Sequence, residues 1–232
     1  MHSNFNFISH AAALGFLGAA GGTLVTIAVT ALALVLRKRG LARAMLAVWA
    51  AGAALYVVLL LGFSLASHED TVARGGEKYF CEADCHLAYS VVGVETARTI
   101  GAGASQRTAT GTFYVVSLRT RFDETTTSLR RPKDATLHPN PRRLVLVADD
   151  GASYAPSSEG QAALEAAGGQ GTPLDKPLLP GESYITRLVF DAPAGLSNPR
   201  LLLLLDDFVT HFMIGEENSF LHKKTYLRLL PG

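Results

Sequence analysis

The first 68 residues of this 232-residue chain contain no aspartate or glutamate, and their only lysines and arginines are Arg37, Lys38, Arg39 and Arg43. A segment so poor in charge cannot form the solvated surface of a globular domain. The chain also lacks a Gly-x-Ser-x-Gly elbow, a phosphate-binding loop, a dinucleotide fingerprint and a His-Glu-x-x-His pair, so no motif points to an enzyme. Adjacent acids such as Asp206-Asp207 and Glu216-Glu217 are expected at turns or solvated edges, not as a catalytic pair. Taking the four early cations from the formal net charge of +1 leaves −3 on the remainder, which excludes the basic surface that nucleic acid requires. Only two cysteines are present, Cys81 and Cys85.

What the early segment does contain is two uncharged runs, 11–36 and 44–66. Each exceeds the roughly 20 residues that a helix needs to cross a bilayer. The first has no cationic n-region and is followed at once by the second, which argues for a span and against a cleaved leader. All four cations fall between the runs, so the positive-inside rule places that loop in the cytoplasm and both termini outside. Gly18 and Gly22 in the first run allow close helix packing. The expected organisation is a transmembrane hairpin over 1–67, a polar linker over 68–77 and an extracytoplasmic domain over 78–232.

The rest of the chain alternates with period two. Tyr114, Val116, Leu118 and Phe122 fall on one face of a strand, with Ser117, Arg119 and Arg121 on the other. Residues 87–97, 143–149, 183–193, 200–207 and 225–230 read the same way, separated by turns such as Asp149-Asp150-Gly151, Pro180-Gly181-Glu182 and Ser197-Asn198-Pro199. Six strands of this kind imply a sandwich or barrel, and the expectation is an antiparallel sandwich with Tyr114, Val116, Leu118, Leu144, Leu146, Leu188 and Phe190 in its core. Residues 157–167 read as a short surface helix capped by serine, and 123–141, rich in Pro and Thr, as a long loop.

The turn Asp149-Asp150-Gly151 with Tyr154, the turn Pro180-Gly181-Glu182 and the strand ending Leu188 to Pro193 resemble bacterial membrane-tethered extracytoplasmic immunoglobulin-like domains of unknown function. The resemblance covers about residues 78–230. It implies a β-sandwich outside the bacterial inner membrane and assigns no activity.

Chemistry concentrates in Cys81-Glu82-Ala83-Asp84-Cys85-His86 and, far along the chain, in His211-Phe212-Met213 and His222. Two cysteines four apart reach one soft metal, and a disulfide closing so small a loop contributes little by chain entropy. On a strand His211 and Met213 project from the same face. Cys, His and Met together are copper ligands in an oxidising compartment. The expectation is a copper site made from Cys81, Cys85, His86, His211, Met213 and His222.

Two outward-facing spans before a cupredoxin-like sandwich resemble cytochrome oxidase subunit II, and the Cys-x3-Cys spacing is that of its binuclear copper motif. The motif's His and Met positions are Tyr89 and Val92 here, however, and the pair opens the domain instead of closing it. The ligand set is also similar to that of the oxidase's copper-delivery proteins. Cys-x3-Cys-His further resembles a rare haem-attachment variant, against which the extra residue and the strands count. The resemblances imply metal delivery or electron transfer beside a respiratory or other membrane complex, with the lipid bilayer as first partner. The other expectation is a structural or interaction module whose two cysteines form a disulfide and which binds no metal.

Overall fold

The computed structural model describes residues 2–81 and 86–230. In chain order the elements are β1 (His2–Ser3), α1 (Ser9–Val35), α2 (Arg39–Leu65), β2 (Asp70–Val72), β3 (Lys78–Cys81), β4 (His86–Ile100), β5 (Arg107–Asp123), β6 (Arg142–Val147), β7 (Ser153–Tyr154), α3 (Ser158–Ala166), β8 (Ser183–Ala192), β9 (Arg200–Leu205) and β10 (Thr225–Arg228). They form two compact units. One is built on Glu69–Asp206 and completed by β1 and β10; the other comprises Phe5–His68 with Asp207–Lys223.

In the helical unit, α1 and α2 are 27 residues each, long and apolar enough to cross a membrane. Most of their leucines and valines are exposed. The helices touch by a hydrogen bond from Trp49 Nε1 to Thr23 Oγ1 at 3.0 Å. Gly18 and Gly22 have nothing within 4 Å of where a Cβ would stand, so the close packing that this pair permits is not used within the chain.

The second unit is a sandwich of two five-stranded sheets, ordered β1-β3-β4-β5-β8 and β2-β10-β9-β6-β7. The six strands read from the sequence are β4, β5, β6, β8, β9 and β10, each within a few residues of its expected bounds. The sheets are mixed, which corrects the expectation of a purely antiparallel sandwich: β1 runs parallel to β3 and β2 parallel to β10. Hairpin turns produce antiparallel neighbours, whereas these edge strands reach their partners through long connections that can join parallel strands. In β1 the connection is the helical hairpin, and in β2 it is almost the whole sandwich.

Between the sheets Phe80, Leu87, Tyr89, Val116, Leu118 and Phe190 meet Leu144, Leu146, Leu201, Leu203 and Leu227 in one buried cluster. Of the expected core residues only Leu188 is half-buried, packed against the cluster's edge. The expected surface helix is α3, with Ser157 Oγ accepting from Gly160 N as its cap. It is more than a surface feature. Ala163 and Leu164 join Ile100, Phe113, Val115 and Val189 in a second small core on the outer face of the first sheet. Gly160 permits this approach, because a Cβ there would lie 2.6 Å from Val189 Cγ1. The expected loop over 123–141 starts at the last residue of β5 and holds the short 3₁₀ turn Glu124–Thr126 and an isolated bridge from Leu137 to Leu178.

Candidate functional site

The antiparallel pairing of β3 with β4 sets Cys81 opposite His86, and the pairing of β4 with β5 sets His86 opposite Asp123. Directly opposite residues of neighbouring strands point to the same face, so a thiol, an imidazole and a carboxylate stand in one row. Cys81 carries a free thiol and is half-buried. Cys85 lies outside the described residues. The backbone N–H of His86 donates to Thr126 Oγ1 at 2.9 Å, and its ring stands edge-on to Tyr79 with centroids 6.4 Å apart.

Beside this row is an ion-pair network. Arg121 grips Glu77 with two bonds, Nε to Oε1 at 2.9 Å and Nη2 to Oε2 at 2.7 Å, the geometry in which charge-assisted bonds are strongest. Tyr79 donates its hydroxyl to Glu77 Oε2 at 2.8 Å, and Arg119 Nη2 reaches Oε1 at 3.3 Å. Asp123 Oδ1 accepts from Thr125 N and Thr125 Oγ1 at 3.0 and 2.7 Å. Arg121 Nη2 lies 3.5 Å from Asp123 Oδ2.

Hydrogen bonds from Arg121 hold the Glu77 carboxyl below its usual range against the opposing effect of burial. Burial raises Asp123, but the bonds from Thr125 and the nearby Arg121 outweigh it and leave the carboxyl low. Tyr79 is pushed up to about 12 by burial and by the Glu77 carboxylate it contacts.

A carboxyl whose pKa is lower in the folded than in the unfolded chain contributes stability above its unfolded pKa and loses it as pH falls through the folded value. The urea midpoint of the sandwich is therefore expected to decline below about pH 4, where ordinary carboxyls take up protons. Glu77→Gln should be less stable at neutral pH and show a shallower acid decline. Parallel curves for the two proteins would show that Glu77 contributes no such linkage.

The other expected ligands lie in the helical unit. His211 and Met213 are not on a strand: His211 sits in the 3₁₀ turn Phe208–Phe212, so the strand alternation that would put the two on one face does not hold there. Asp207 favours that turn by accepting Val209 N at 2.8 Å. His211 Nδ1 lies 3.1 Å from the Phe208 carbonyl, and its ring packs against Phe208 and Phe220. His222 Nδ1 lies 2.6 Å from the Lys223 carbonyl. Met213 follows the turn in an extended conformation. Among the described residues no group of three or more His, Cys, Asp or Glu side chains is placed to hold a metal ion. Of the six expected ligands, the described residues bring Cys81 and His86 together by register.

The sequence matches no known protein family and no curated protein. Among solved structures it is similar to MPT63, a secreted protein from Mycobacterium tuberculosis, with a TM-score of 0.43, 10% identity, and 70% of this chain and 99% of that chain covered. It is also similar to a conserved hypothetical protein from Bacillus anthracis, with a TM-score of 0.37, 13% identity, and 56% and 87% covered.

Sequence reasoning missed Glu77, Tyr79 and Asp123 as one network. The alternation that put Arg119 and Arg121 on a polar face was visible, but their acceptor Glu77 lies over 40 residues away in a stretch read as linker.

Proposed function

We propose that the protein is anchored in the bacterial inner membrane by α1 and α2, holds its sandwich on the outer side, and binds copper on the hairpin between β3 and β4. The donors in this reading are Cys81, Cys85 and His86, and the work is metal delivery or electron transfer beside a membrane complex, without turnover of an organic substrate. The observation that carries the reading is the opposition of Cys81 and His86 across two neighbouring strands. It brings a soft sulfur and an imidazole to one half-buried spot, and these donor types favour copper. This reading rests on the three donors of that one hairpin and leaves His211, Met213 and His222 outside it.

Copper(I) titrated into the reduced full chain in detergent should bind at about one ion per chain, since sulfur and imidazole donors outcompete oxygen for it. Cys81→Ser with Cys85→Ser should abolish binding, and His86→Ala should weaken it. His211→Ala with His222→Ala should leave it unchanged. Equal copper content in the wild type and the double cysteine variant would overturn the copper site. A second reading would then stand, that of an interaction module without metal. In that reading the face on which Glu77 binds Tyr79, Arg119 and Arg121 is the polar docking surface.

A further inference from the structure

The segment Asp207–Lys223 belongs to the helical unit, and its burial pattern is inverted. Glu216 and Glu217 are 0% and 1% exposed, and Thr210, Asn218 and Ser219 are buried with them. Phe208 and Leu221, by contrast, are 73% and 66% exposed, and Val209 and Phe220 also face outward. In water a segment of this composition would turn the other way, because burying polar groups and exposing large apolar ones are both unfavourable.

Four of the buried polar side chains make hydrogen bonds within the segment. Asn218 Nδ2 donates to Thr210 Oγ1 at 2.9 Å, the Thr210 hydroxyl donates to the Asp207 carbonyl at 2.5 Å, and the Ser219 hydroxyl donates to the Met213 carbonyl. The Glu216 carboxylate accepts from Asn218 N. Non-helical backbone survives at membrane depth only where its polar groups are satisfied inside the protein, and these bonds, with those made by Asn6, Tyr56 and Ser67 of the same unit, serve that end.

Its attachments give the depth. Tyr56 donates its hydroxyl to the Phe212 carbonyl at 2.6 Å. Tyr56 lies nine residues before Leu65, the last residue of α2, which is about 14 Å along the helix at 1.5 Å per residue. Phe212 lines a groove together with Gly15, Phe16 and Ala19 of α1 and Tyr56 of α2. The Asn6 N–H donates to the Gly215 carbonyl at 2.9 Å, and the Lys223 N–H donates to Ser67 Oγ at 2.8 Å near the end of α2. Gly215 has φ +73°, and a Cβ there would lie 2.5 Å from Phe7 Cβ, so this approach requires glycine.

We infer that Asp207–Lys223 is a third membrane element: a re-entrant loop that dips into the outer leaflet against α1 and α2 and turns Phe208, Val209, Phe220 and Leu221 to the acyl chains. The occupant of this apolar surface is lipid, because Phe212, in ring contact with Phe208 and Phe220, also lines the groove of two helices that are themselves long and apolar enough to span. His211, Phe212 and Phe220 form the aromatic cluster at its tip, and His222, Lys223 and Lys224 follow as the chain leaves. The inference rests on the membrane anchoring proposed above.

The test uses tryptophan fluorescence of the full chain in vesicles of phosphatidylcholine brominated on its acyl chains. Trp49, the chain's one tryptophan, reports on α2. In a Trp49→Phe background, Phe220→Trp reports on the loop, and Phe208→Trp repeats the measurement at a second exposed site. Each loop tryptophan should lose about half its fluorescence relative to unbrominated vesicles, as expected within a hydrocarbon core about 30 Å thick, and should be shielded from aqueous iodide. Quenching of Trp49 without quenching of either loop tryptophan would overturn the loop and leave the anchor intact. Absence of quenching at all three positions would overturn both.

Discussion

Phe190→Ala should destabilise the sandwich by about 3–5 kcal/mol, the range for removing a large aromatic from a packed core. Phe190 is fully buried on β8, opposite Tyr114 of β5, and its ring belongs to the cluster in which both sheets take part. Truncation leaves a cavity that neighbours from two sheets cannot close together, because each is fixed by its own strand ladder. Leu118→Ala, equally buried, should lose about 2–5 kcal/mol by the same mechanism. Ile185→Ala is the control: this side chain is exposed on the same strand as Phe190, so its loss should stay within about 0.5 kcal/mol. Pulse proteolysis of the full chain in urea gives all three values. Equal losses at Phe190 and Ile185 would show that β8 does not face the core as described.

Lys78→Met should be the second costly change, at about 2–4 kcal/mol, because burying a carbonyl without its donor costs roughly 1–3 kcal/mol. Lys78 is fully buried at the start of β3, and its ammonium crosses the sandwich. It donates to the Leu203 carbonyl on β9 at 2.8 Å and the Thr225 carbonyl on β10 at 2.9 Å, and it also lies 5.1 Å from the Phe80 ring centre. Both carbonyls belong to the opposite sheet, so this side chain ties the two layers together. Methionine matches the length of the stem and supplies neither donor nor charge, so it separates what the ammonium contributes from what the stem's packing contributes. A variant as stable as the wild type, by the same proteolysis measurement, would mean that the ammonium contributes no more than a buried thioether.

Lys78 also shows where sequence reading stops. It stands last in a polar stretch, His68 to Lys78, whose composition reads as a linker, and nothing local distinguishes it from a solvated lysine. Its burial follows from β3 pairing with β4 and from the two carbonyls that β9 and β10 bring to it, all contacts distant in sequence. Glu77 behaves alike: its partners Arg119 and Arg121 were visible as a polar face, but the acceptor that joins them was not. His211 and Met213 fail for a different reason. The apolar surroundings of His211 suggested a strand, but the Asp207 cap and the aromatic contacts of the 3₁₀ turn decide the backbone there.

The elements legible before folding were those whose signal is local and repeated. Uninterrupted apolar runs made α1 and α2, period-two alternation made β4, β5, β6, β8, β9 and β10, and Ser157 marked the start of α3. Each depends on neighbours within a few residues, so composition and spacing are sufficient. The parallel edge strands, the second core beneath α3, the opposition of Cys81 to His86 and the burial of Glu216 and Glu217 came from long-range packing. These are set by which distant strands become neighbours and by what surrounds a buried group. A strand's own alternation says which side chains share a face, but the partner that meets them is chosen by the packing of the whole unit.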